Sequence, residues 1–65
     1  MCLGKRIKKY LEENGIKQKW LAEKIGLDED KLSLSLNGRR KMGAEEFAKI
    51  IQALNVPAET FIKSD

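Results

Sequence analysis

Four turn signals, Asn14-Gly15, Gly26, Asn37-Gly38 and Asn55, cut this chain into short pieces whose apolar residues recur at helical spacing. Glycine and asparagine tolerate the left-handed conformation in which helices commonly end, so each signal closes one helix and turns the chain. Leu3, Ile7, Tyr10 and Leu11 form one stripe of a first helix, at i, i+4, i+7 and i+8. Leu21, Ala22 and Ile25 mark the inward side of a second. Asp28 is a good N-cap for a third, with Glu29 and Asp30 favourable beside the positive end of its dipole. Phe47, Ile50, Ile51 and Leu54 give the cleanest stripe, preceded by Gly43 as cap and Glu46 as the far half of a capping box. Pro57 suits the first position of a fifth helix, from which Phe61 and Ile62 close the core. The pattern predicts an all-α, compact five-helix bundle. Its helices lie at about 3–14, 18–25, 29–37, 44–54 and 57–63, in a single domain over 1–65 with no repeat or linker.

Length and composition narrow the chemistry. A chain of 65 residues buries only about 60% of its unfolded surface, which leaves little room for a deep cleft. There is one cysteine, Cys2, and no histidine. A disulfide framework within one chain and a Cys/His zinc site are therefore excluded, and the commonest general base is absent. No nucleophile–base pair or phosphate-cradling glycine loop is visible, so the chain reads as no enzyme, with no cofactor, metal or small-molecule ligand. Cys2 is expected to be chemically idle. No apolar run is long enough to cross a bilayer, no signal peptide opens the chain, and Met1 reads as a native start, so a cytoplasmic location is expected. The charge is uneven. Residues 1–41 hold eleven Lys/Arg against six Asp/Glu, whereas residues 42–65 hold two against four. That suits one half facing a polyanion and another packing against protein. Lys5, Arg6, Lys8 and Lys9 read equally well as solvated charge on the first helix.

Residues 18–37 meet the steric demands of a helix-turn-helix, two short helices joined by a tight turn containing glycine. Ala22 is the small residue at the crossing, Gly26 supplies the turn, and Leu21, Ile25, Leu27 and Leu32 point inward. The run Gln18-Lys19-Trp20-Leu21-Ala22-Glu23-Lys24-Ile25-Gly26, followed by Lys31-Leu32-Ser33 and Leu36-Asn37-Gly38-Arg39-Arg40-Lys41, resembles the lambda-repressor/Cro-like helix-turn-helix family of xenobiotic-response-element-type regulators. Phe47 to Pro57 resembles that family's fourth helix and the turn after it. The likeness covers about residues 4–62.

The resemblance implies sequence-specific binding of double-stranded DNA by a small bacterial or phage-type repressor or regulator, with the third helix in the major groove. Helical geometry turns Leu32, Ser35 and Leu36 inward and Asp30, Lys31, Ser33, Leu34 and Asn37 outward. With Glu29 at the helix tip, the base-reading candidates are Glu29, Asp30, Lys31, Ser33 and Leu34. The phosphate-binding candidates are Gln18 at the start of the second helix, its neighbours Lys17 and Lys19, and Asn37, Arg39, Arg40 and Lys41 after the third. A homodimer on DNA is implied, with Val56, Pro57, Ala58 and Phe61 as its interface. The acidic tip, the outward Leu34 and Trp20 keep a second reading open, a protein-interaction module of the same fold with a protein partner, antirepressor or antitoxin-like. Trp20 itself reads first as a half-buried packing residue. Ser35 is expected to bond back to the carbonyl four residues earlier, with a modest loss of core stability and no functional role.

Overall fold

In the computed structural model, which describes residues 3–62, the chain forms α1 (Leu3–Glu13), α2 (Gln18–Ile25), α3 (Glu29–Leu36) and α4 (Ala44–Leu54). A 3-10 turn at Ala58–Thr60 follows, and there is no strand among the described residues. Isolated helices this short are marginal in water, so tertiary packing must hold them. α1 and α2 both pack on α3, and α4 packs on α2. Ile7, Leu11, Leu21, Leu32, Leu36 and Ile50 are fully buried at the centre, joined by Ala22, Ile25 and Phe61. Cys2 lies outside the described residues.

The four turn signals share one hydrogen-bond pattern. Gly15, Gly26, Gly38 and Asn55 have φ of 64°, 71°, 77° and 57°. After each of them the next backbone N–H closes a six-residue turn on the preceding helix: Ile16 to Leu11 at 2.8 Å, Leu27 to Ala22 at 3.0 Å, Arg39 to Leu34 at 2.9 Å, Val56 to Ile51 at 3.2 Å. These are the bonds of a Schellman end, which satisfy carbonyls a helix otherwise leaves open.

The fifth helix is not formed. Pro57 is extended, at φ −73° and ψ 152°, and only the 3-10 turn follows. Tertiary contacts override the helical pattern there. Phe61 is drawn under the bundle, its ring meeting Tyr10 edge-on at 5.4 Å and Phe47 at 6.3 Å. Its carbonyl accepts a hydrogen bond from Arg6 at 3.0 Å. Ile62, expected in the core, is 59% exposed.

Two local expectations are also corrected. Glu46 makes no capping box, for Gly43 has no side-chain cap partner. Its carboxylate instead receives Arg40, whose Nη1 lies 2.6 and 3.0 Å from the two oxygens. Nor does the buried Ser35 bond back along its own helix: its Oγ accepts from Arg40 at 2.8 Å and faces Glu46 at 3.4 Å. Gly4 is a feature the periodicity does not reveal. It is buried where α1 crosses α3, and a Cβ there would stand 2.0 Å from the Ser35 carbonyl oxygen. The two backbones meet directly.

Candidate nucleic-acid interface

The first helix of the motif presents an open end. Lys17 precedes α2 in an extended conformation and makes no side-chain cap. The N–H groups of the first turn are therefore uncapped, at the positive end of the helix dipole, with Lys17 and Lys19 exposed beside a partly buried Gln18. The end of α3 is different. Asp28 Oδ1 accepts from the Asp30 N–H at 2.9 Å, and Glu29 and Asp30 fill the first turn with negative charge. An anion approaching this surface is favoured at α2 and repelled at the tip of α3.

Gly26, Leu27 and Asp28 make the connection between the two helices. Leu27 is packed against the core cluster and anchors the turn. α3 is then two-sided. Leu32, Ser35 and Leu36 are buried, whereas Glu29, Asp30, Lys31 and Leu34 are exposed and Ser33 is partly so. Leu34, at 43% exposure, is an apolar side chain on an otherwise polar face. With its side chains an α-helix is about 10–12 Å across, comparable to the width of the DNA major groove.

Residues 4–64 match the family model of a helix-turn-helix domain. The chain belongs to the helix-turn-helix family. That membership agrees with the lambda-repressor/Cro-like resemblance, and it points to DNA as a partner. Comparison with curated proteins and with solved structures gives no match.

Within the helix-turn-helix frame, the basic loop after α3 divides its labour. Arg39 and Lys41 are exposed, as a phosphate contact requires. Arg40 is tied across the loop to Glu46, whose side chain is only 13% exposed, and to Ser35. It joins the loop to α4, and one of its guanidinium nitrogens is committed there. Asn37 is engaged as well. Its Nδ2 donates to the Ser33 carbonyl at 2.8 Å and lies 3.3 Å from the Ser33 hydroxyl, and its Oδ1 accepts from Lys8 Nζ at 2.8 Å. Lys8 thus joins the helix-turn-helix from α1, a placement that residue spacing did not single out.

Two other expected residues are relocated. Phe61 is 2% exposed and packs within its own chain, so it is not available to a partner. Pro57 and Ile62 are exposed on that segment, and Val56 and Ala58 are partly so. Trp20 is 41% exposed and lies outside the core, with the Lys24 ammonium 5.7 Å above its ring. At that distance the pair is a surface cation–π contact.

Proposed function

We propose that this helix-turn-helix chain binds double-stranded DNA sequence-specifically, places α3 in the major groove and serves as a small transcriptional regulator of the repressor type. The observation that carries the reading is the two-sided α3. One half seals the core while Lys31, Ser33 and Leu34 stand outward; the start of α2 is uncapped, and Arg39 and Lys41 after α3 are exposed. Phosphate contacts from Lys17, Gln18, Lys19, Arg39 and Lys41 would set the register, and the outward side chains would read base edges. Leu34 suits the methyl group of thymine. Glu29 and Asp30 suit the amino group of cytosine, which donates to carboxylates, and they disfavour indiscriminate binding.

Action as a homodimer is part of the proposal. Half-sites for such domains lie about 34 Å apart, one helical turn. The chain measures 31 × 23 × 22 Å, so two copies one turn apart come close to each other where the longest dimension runs along the duplex. The C-terminal segment with Val56, Pro57, Ala58 and Ile62 is the surface offered for that contact.

The test is selection of sites from random duplex DNA, followed by affinity against salt for the winner and a scrambled duplex. An enriched pseudo-palindrome is expected, with a log–log salt slope reporting several released counterions. Equal, weak binding to both duplexes would overturn the reading. It would favour the protein-interaction alternative, which rests on the exposed Trp20 and Leu34.

A further inference from the structure

We propose that Lys8 is a phosphate-binding residue of this surface and that Asn37 is its positioning residue. The inference rests on the DNA-binding reading above and adds a contact from outside the helix-turn-helix.

The side chain of Asn37 is engaged within the chain. The Ser33 carbonyl can only accept, so the NH2 side of the Asn37 amide must face it, 2.8 Å away. The same nitrogen lies within reach of the Ser33 hydroxyl. An ammonium can only donate, so Lys8 Nζ lies on the oxygen side, at 2.8 Å. The donors of Asn37 are thereby turned into the chain. A phosphate arriving at this end of α3 finds Lys8 instead, with two of its three N–H groups still to donate.

The charge of Lys8 is also intact. No carboxylate among the described residues pairs with it, although Glu12 stands one turn further along the same helix. Holding a long lysine side chain in one place costs rotamer entropy, and a single hydrogen bond to a neutral amide offsets little of that. A purely structural role therefore gains the fold little. The same arrangement holds an ammonium against Asn37, at the C-terminal end of α3. The adjacent contact between Gly4 and Ser35 fixes α1 against α3, so the ammonium is held relative to the reading face.

The test compares wild type, Lys8→Met, Lys8→Arg and, as a charge-matched control on α4, Lys49→Met, on the selected duplex. Lys8→Met keeps the aliphatic stem and removes only the ammonium. It is expected to lose about 5- to 10-fold in affinity at low salt and to flatten the log–log slope by about one, the value for one phosphate contact. Lys8→Arg should restore the slope, and Lys49→Met should leave it near wild type. Asn37→Ala should weaken binding on its own and add little on top of Lys8→Met, since both act through one ammonium. Circular dichroism melts confirm that each variant is folded. A wild-type slope in Lys8→Met, with binding otherwise intact, overturns this proposal and leaves the DNA-binding reading standing. Failure of the wild type to prefer any duplex overturns both.

Discussion

Replacing Gly4 with alanine would improve the intrinsic helix propensity of α1 by about 1 kcal/mol. The structure predicts the opposite outcome. The new methyl would meet the Ser35 carbonyl oxygen at 2.0 Å and the Leu36 Cα at 3.0 Å, both backbone atoms that cannot swing aside. Overpacking of this kind costs about 1–3 kcal/mol or more, so Gly4→Ala should lower the melting temperature by several degrees. The basic loop offers a second contrast between neighbours. Arg39→Gln should leave the melting temperature unchanged and reduce the salt slope of DNA binding by about one. Arg40→Gln should lower stability by about 1–2 kcal/mol, because Glu46 and Ser35 lose their shared donor. Thermal melts and salt titrations of the two variants read both effects. In the sequence, Arg39, Arg40 and Lys41 form one undifferentiated basic run. Only the approach of α4 separates them, and the sole local hint is a serine at an inward position three residues before Gly38. Gly4 is equally silent, since a glycine near a predicted helix start looks like weak propensity until the crossing helix is in view.

At the scale of elements, legibility follows range. Each helix end is a local event, a left-handed residue followed by a backbone bond reaching five residues back, and Asn14-Gly15, Gly26, Asn37-Gly38 and Asn55 announce it. The cap of α3 is local too, and Asp28 performs it as expected. The segment after Pro57 is not local. Its 3-10 turn reflects where Tyr10, Phe47 and Arg6 hold Phe61, contacts spanning most of the chain. The outward face of α3 was readable from periodicity alone, but Lys8, 29 positions before its partner Asn37, was not. The acids at the start of α3 now separate into two roles. Asp28→Ala removes the cap and should cost about 1 kcal/mol of stability in a thermal melt. Glu29→Gln touches no cap, and should raise affinity for unrelated duplexes several-fold in a low-salt binding assay by lifting a repulsion from phosphate.

For the whole molecule, the C-terminal segment is part of the structural minimum. A domain of this length has a stability of about 3–10 kcal/mol. Phe→Ala at a buried site costs about 3–5 kcal/mol, so Phe61→Ala should remove a large share of that stability, read by circular dichroism as a lower melting temperature. The ring closes the bundle against Tyr10 on α1 and Phe47 on α4, two helices far apart in the chain. The placement of Trp20 has a different consequence. It is the only tryptophan, it stands part-exposed on α2 two residues beyond Gln18, and an ammonium overlies its ring. Its ultraviolet emission therefore comes from one partly hydrated site. If α2 meets the phosphate backbone as proposed, the same indole, two residues beyond Gln18, is expected to register the arrival of a duplex as quenching. The chain would then carry its own label for occupancy, separate from the probes that follow its folding.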